Sequence, residues 1–261
     1  MGPQTARKRA APSVERVSGA PTSTLSPVGL AALFDVDGVI ADTARLHTAA
    51  WARLASEEGL PFPQGLADQL RGVSREDSLR RILGGRRISE SDFTEFLRRK
   101  NGYYLSMVEE ITHNDLLPGA WQVINGMRLQ GLTIAAVSAS RNARRVLERL
   151  GILPGLDLVV DGNDPEATAH HQNRFRIAAR RLGVPPQDCL VFEDSASAIQ
   201  MARELGMKTV ALGVAAQAAN PDLHFESLCG VDARLVLKWL HCEPTVEESR
   251  ISDPLAMAGA I

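Results

Sequence analysis

The sequence predicts an α/β fold: a doubly wound parallel sheet with a helical cap inserted after its first strand. Three observations carry this. Apolar runs at Ala31–Phe34, Ile134–Val137 and Cys189–Phe192 each end abruptly in small polar or acidic residues. Buried strands of a parallel sheet read this way when their carboxyl ends open into a crevice. After Pro118-Gly119, helix-like and strand-like segments alternate, the pattern of βαβ units. Between the first run and that point, residues 44–115 read as mainly helical.

Taken in order, strand one covers about 31–36. Ala49–Glu58 places Trp51, Leu54 and Ala55 at helical spacing. Ser74 is a capping candidate for a helix to Leu83, with Leu79, Ile82 and Leu83 along one face. Ser89–Glu110 is long, with Phe93, Phe96, Leu97 and Tyr104 marking one buried side. Helices then fall near 119–130, 141–150, 173–182 and 195–205, and strands near 133–137, 157–160, 189–192 and 208–212. The loops Gly151–Pro154 and Gly183–Pro186 are short and carry helix-stop signals. The resulting partition is a core of 29–43 with 116–240, a cap of 44–115, and tails at 1–28 and 241–261. The first tail, rich in Ala, Pro, Ser, Thr and Arg, lacks an apolar segment long enough for a secretory signal and reads as disordered. An organellar transit peptide is the alternative there, since Glu15 is its one acid.

Composition narrows the function classes. A length of 261 residues with 44% hydrophobic content supports a sizeable core. A net charge of -2 gives no electrostatic reason to expect nucleic acid or an anionic membrane as partner. No apolar run approaches the length of a membrane span. Cys189, Cys229 and Cys242 lack metal-type spacing, and a reducing, cytoplasmic setting fits them.

Asp35 and Asp37 lie where the first apolar run stops. A two-residue offset puts both side chains on one side of an extended chain. Two acids that close repel each other, and a bound cation resolves the repulsion. Gly38 lets the chain turn away at once. Alone, the segment also reads as a strand followed by an ordinary Asp-Gly turn. Ser138-Ala139-Ser140 and Glu193-Asp194-Ser195 close the other two runs, and all three strand ends would converge at one sheet edge.

Together these segments resemble the haloacid dehalogenase superfamily of phosphoryl-transfer enzymes. Thr43, His47, Trp51, Gly72-Val-Ser-Arg-Glu-Asp-Ser78, Arg99-Lys100-Asn101 and Ser138-Ala-Ser-Arg-Asn142 narrow the resemblance to its β-phosphoglucomutase branch. The similarity runs from about residue 29 to 240. It implies a Rossmannoid core with Asp35 as nucleophile and Asp37 as general acid and base. It implies Mg²⁺ held by Asp35, the Asp37 backbone carbonyl, Glu193 and Asp194. The last two residues also read as an acidic helix start. Ser138, with Ala139 beside it, would bond the transferring phosphoryl group, cap a helix, or do both. Arg141 and Asn142 would reach substrate oxygens, although Arg141 alone also reads as a surface residue. In the cap, Arg75 would grip a second phosphate, with Ser78 on the same helix face. Gly72 and Val73 would meet the sugar, and Lys100 would add a second cation. His47 and Thr43 would tune Asp37 at the hinge, and Trp51 would lie by the substrate or in the cap core.

The expected reaction interconverts β-glucose 1-phosphate and glucose 6-phosphate through a bisphosphate, with a small sugar phosphate as ligand and a monomer as working unit. A sugar-phosphate phosphatase is the alternative, since hydrolysis needs one phosphate grip where a mutase needs two. The chain departs from the family pattern at one position. Ala169 falls where a Lys is expected, and His170 and Gln172 replace two prolines; Ala198 also stands where Gly is usual. Losing a fixed cation beside a phosphoryl group removes transition-state stabilisation on the scale of orders of magnitude in rate. Three readings follow: His170, His171 or Arg174 supplies the charge, the enzyme is weakened, or the chain is a catalytically silent sugar-phosphate binder.

Overall fold

The computed structural model describes residues 29–169 and 173–241. Both tail readings, the histidine pair and Cys242 lie outside the described residues. Six strands form one sheet: β1 (Ala31–Phe34), β2 (Thr133–Val137), β3 (Leu158–Val160), β4 (Cys189–Glu193), β5 (Lys208–Leu212) and β6 (Leu223–Phe225). Their order is β3-β2-β1-β4-β5-β6, and every pairing is parallel. Strand order reverses between β1 and β4, the place where such sheets open a crevice. Phe34 stands opposite both Ala136 and Phe192, so the ends of β1, β2 and β4 are level.

The helices are α1 (Ala44–Glu57), α2 (Leu66–Gln69), α3 (Arg75–Leu83), α4 (Glu90–Val108), α5 (Ala120–Leu129), α6 (Ala143–Arg149), α7 (Pro165–Ala169), α8 (Arg174–Leu182), α9 (Ala196–Arg203), α10 (Gly213–Gln217) and α11 (Ala233–His241). None of them is long and apolar enough to cross a membrane. Side-chain alternation sorts the central strands onto two faces. Ala32, Phe34, Ile134, Ala136, Leu190 and Phe192 meet the side chains of α5, α6 and α11. Ala31, Leu33, Ala135, Val137, Cys189 and Val191 meet those of α8 and α9. The Phe34 and Phe192 rings stack 4.4 Å apart beneath the strand ends. Phe34→Ala is expected to cost about 3–5 kcal/mol, because a fully buried ring leaves a cavity that its neighbours fill only in part. Denaturant unfolding checks this, with Leu129→Ala at an exposed site staying within about 0.5 kcal/mol of wild type.

Between β1 and α5, a separate apolar cluster gathers Trp51, Leu54, Leu79, Ile82 and Phe96. Tyr104 and Val108, further along α4, pack instead with the sheet cluster beside Leu46 and Ala50. Ser74 and Ser89 cap α3 and α4, accepting hydrogen bonds from Asp77 N at 3.1 Å and Asp92 N at 3.0 Å.

Several boundaries differ from the sequence expectation. β1 stops at Phe34, not 36, because the Val36 carbonyl turns inward to accept from Ile40 N and Ala41 N at 3.1 and 2.9 Å. α1 begins five residues early, at Ala44. The five-residue helices α7 and α10 are too short to show a period in sequence, and in the strand β6 His224 interrupts the apolar residues.

Candidate active site

The level strand ends deliver three carboxylates to one place. Ligand oxygens of Asp35, Glu193 and Asp194 lie within 4.8 Å of one another, and all three residues are buried. Burial, reinforced by repulsion from Glu193, Asp37 and Asp194, holds the Asp35 carboxyl well above its usual range. Burial likewise raises Glu193, against the pull of Arg174. Asp194 is pushed up to about 7 by burial and Glu193, with Arg71 opposing. A crowded set of hard oxygen donors short of positive charge is the donor chemistry that suits a hard divalent cation. Two arginines flank the cluster: Arg71, before α3, hydrogen-bonds Asp194, and Arg174 lies 3.4 Å from Glu193.

The sequence expectation gives only the backbone carbonyl of Asp37 to the ion and sets Thr43 and His47 beside its carboxylate, and the structure has that side chain outside the cluster and next to both residues. The chain turns at Val36, so the Asp37 carboxylate lines the same cleft as Asp35 without joining Glu193 and Asp194. Asp37 Oδ1 accepts from Thr43 Oγ1 at 2.6 Å and stands 3.4 Å from His47 Nε2, and Oδ2 accepts from Ser138 Oγ at 3.3 Å. Burial pushes its pKa up, but His47, Thr43 and Lys100 together bring it below the ordinary carboxylate value. Two acids two residues apart are therefore driven in opposite directions, the arrangement that assigns different chemical roles.

Lys100 Nζ stands 2.8 Å from His47 Nδ1 and about 5 Å from the Trp51 and Tyr104 ring centroids. Burial, then the nearby Arg75, lowers its pKa to about 7. Burial and Lys100 also lower His47, against Asp37. An unfolded lysine titrates near 10.4, so between about pH 7 and 10 the unfolded chain binds a proton that the folded one does not. This contribution to stability rises with pH across that window. Lys100→Met is therefore expected to be more stable than wild type at pH 7, with the gap narrowing toward pH 9. Urea unfolding midpoints at pH 7, 8 and 9 check this, and a gap independent of pH would contradict it.

One cleft joins these groups. Its core wall carries Asp35, Asp37, Ser138, Ala139 and Arg141; its opposite wall carries His47, Trp51, Arg71, Gly72, Val73, Arg75, Ser78 and Lys100. Close packing explains two glycines. A Cβ on Gly38, at φ +96°, would come within 2.0 Å of Asp194 Oδ2, and one on Gly72, at φ +67°, within 2.4 Å of Ser195 Oγ. The Gly72 loop thus rests directly on the β4–α9 turn.

Not every residue singled out in the sequence reaches the cleft. Thr43 is buried and bonds Asp37, and Glu193 and Asp194 are buried without lining the cleft. Asn142 is the N-cap residue of α6, and its Nδ2 donates to Asn101 Oδ1 at 2.8 Å instead of entering the cleft. Arg141 lines the cleft but is exposed and pairs with Glu76 at 2.9 Å. Ala169 ends α7. Sequence reasoning missed Arg71, which looks like one more solvated arginine until the loop docks. Its adjacency to Gly72 was the only available signal.

Comparison with known proteins agrees with this geometry. The family model for haloacid dehalogenase-like hydrolases matches residues 30–206. β-Phosphoglucomutase of Bacillus subtilis is 34% identical over 229 residues, covering 86% of this chain and 99% of the relative. The crystal structure of β-phosphoglucomutase from Clostridium difficile superposes with a TM-score of 0.74 at 32% identity, covering 80% of this chain and 96% of that one. A phosphorylated carbohydrates phosphatase of Thermotoga maritima is 27% identical over 183 residues, covering 69% of this chain and 83% of the relative. With a parallel sheet, level strand ends and clustered acids, the chain belongs to the haloacid dehalogenase-like hydrolase family, as a member resembling β-phosphoglucomutase.

Proposed function

We propose that the protein is a magnesium-dependent β-phosphoglucomutase that moves a phosphoryl group between the 1- and 6-oxygens of glucose through a bisphosphate. The observation that carries this reading is the pair of anion grips facing each other across one cleft. Asp35 and Ser138 stand on the core wall, and Arg75, Ser78 and Lys100 on the other. Hydrolysis needs the first grip; holding a bisphosphate by either end needs both.

The roles follow from the environments. Asp35 attacks the phosphorus of a sugar phosphate and becomes an aspartyl-phosphate as the P–O bond to the sugar breaks and the sugar oxygen leaves, splitting one transfer into two steps. Asp37, kept ionised by Thr43, His47 and Lys100, takes the proton of the attacking sugar hydroxyl and returns it to the leaving oxygen on the reverse transfer. Ser138 Oγ bridges Asp37 and the phosphoryl site, and Arg75 offers a planar fork for the distal phosphate. Asp35, Glu193, Asp194 and the Asp37 carbonyl would hold Mg²⁺, which when bound supplies charge neutralisation to an anionic nucleophile meeting an anionic phosphate. The Gly72 loop keeps water from the acyl phosphate. A monomer in the cytoplasm, without nucleic-acid or membrane partners, accompanies this reading.

Similarity to a sugar-phosphate phosphatase supports a second reading, hydrolysis of small sugar phosphates. A coupled assay separates the two. With β-glucose 1-phosphate, Mg²⁺ and a trace of bisphosphate, glucose 6-phosphate should appear faster than free phosphate. Free phosphate outpacing it would favour the hydrolase, and binding without either product would favour a silent sugar-phosphate binder.

A further inference from the structure

Arg174 is a cation in an unusual place. It is the first residue of α8, a position that commonly faces solvent, yet only 9% of it is exposed. Its guanidinium lies 5.0 Å from the Phe175 ring and reaches the fully buried Glu193, with Nη2 3.4 Å from Oε1. Its charge is also felt at Asp35, where it opposes the repulsion of the other acids. A guanidinium has five N–H donors. Among the described residues the Glu193 bond is the one recorded for Arg174, and its buried Nε has no partner. A buried charged donor left unpaired costs stability, so the arrangement suits a ligand that completes it. The same side chain lines a second cleft with Ser138, Ala139, Gly72 and Arg75. One edge of Arg174 thus reaches the acidic cluster, and the side chain shares the second cleft with Ser138.

Position 169 supplies no charge, since Ala169 stands there. We propose that the Arg174 guanidinium, entering from the following helix, is the fixed cation beside Asp35 and Glu193 and a donor to the phosphoryl oxygens held at Asp35. The inference rests on the reading that Asp35 handles phosphoryl groups, whether the outcome is mutase or hydrolase. In this chain the charge has moved five residues along, from the end of α7 to the start of α8. A guanidinium stays protonated throughout the physiological range, so the substitution brings no pH switch, in contrast to a histidine in this place.

Two binding measurements test this without turnover, using the full chain and isothermal calorimetry. Arg174→Gln removes the charge and keeps a polar side chain. Inorganic phosphate in the presence of Mg²⁺ is expected to bind at least tenfold more weakly, the scale of a charge-assisted bond. Mg²⁺ alone is expected to bind more tightly, because the carboxylates lose a competing cation. Ala169→Lys combined with Arg174→Gln is expected to recover most of the phosphate affinity. A merely structural role would weaken both ligands together, and that result overturns the proposal. So does phosphate affinity within twofold of wild type. Should Arg174→Gln fail to fold, Arg174→Lys keeps the charge and is expected to bind phosphate within about fivefold of wild type; a loss of tenfold or more would count against the charge. Wild type that binds neither ligand would overturn the phosphoryl-transfer reading and this inference together. Wild type that binds both, with Arg174→Gln unchanged, would overturn this inference alone.

Discussion

Asp35→Asn is expected to abolish phosphoryl transfer, lowering turnover by at least about four orders of magnitude, because an amide cannot form the acyl phosphate. The same variant is expected to be more stable than wild type when no metal is added. Asp35 is held well above its usual pKa by burial and by Glu193, Asp37 and Asp194. A carboxyl whose folded pKa lies above its unfolded value loses stability as pH rises past the unfolded value. At neutral pH the buried Asp35 carboxyl is therefore a cost to the fold relative to the unfolded chain, and a neutral amide of the same shape relieves it. Thermal melts in chelator should show a higher midpoint for the variant, alongside loss of phosphoenzyme. Activity within tenfold of wild type would remove Asp35 as nucleophile. A lower midpoint would show that the crowding of acids does not load the fold.

Asp37→Asn should produce the second largest effect, and a selective one. Proton transfer to and from a sugar hydroxyl contributes about 10²–10⁴ in rate, and that is the expected loss with hexose phosphates. With p-nitrophenyl phosphate the leaving group departs as a stable anion and needs no proton, so a much smaller loss is expected. Equal losses with both substrates would mean that Asp37 positions the site and does not move protons. The hydrogen bonds to Asp37 from Thr43 at 2.6 Å and Ser138 at 3.3 Å fix the carboxylate without making it a metal ligand.

Much of this site was legible in the chain because its parts are local. An apolar run ending in Asp35 announces a strand end whatever the rest does, and the same holds for Val137-Ser138 and Phe192-Glu193. Ser74 and Ser89 reveal their helices because capping is decided within four residues. The remainder depends on what packs against what. The separate fates of Asp35 and Asp37 follow from a turn at Val36 that alternation could not foresee. Arg71 matters only because Gly72 docks against Ser195. Asn142 stands at the N-cap position of α6, but its side chain turns to Asn101, a partner 41 positions earlier in the chain. Arg174 was one of three candidate cations in sequence, and its burial against Glu193 is a tertiary fact. β6 escaped notice because His224 interrupts its apolar residues, whereas β3, equally short, is a continuous apolar run.

The central claim is that a phosphoryl group passes between two sugar oxygens by way of Asp35 without being lost to water. The most direct measurement follows the fate of label from bisphosphate. β-Glucose 1,6-bisphosphate carrying labelled phosphoryl groups is mixed with protein, Mg²⁺ and unlabelled β-glucose 1-phosphate, quenched in acid, and resolved into protein, sugar phosphate and free phosphate. Label on the peptide containing Asp35 and in glucose 6-phosphate, with little in free phosphate, is the expected result. Label collecting in free phosphate, with no glucose 6-phosphate formed, would contradict it.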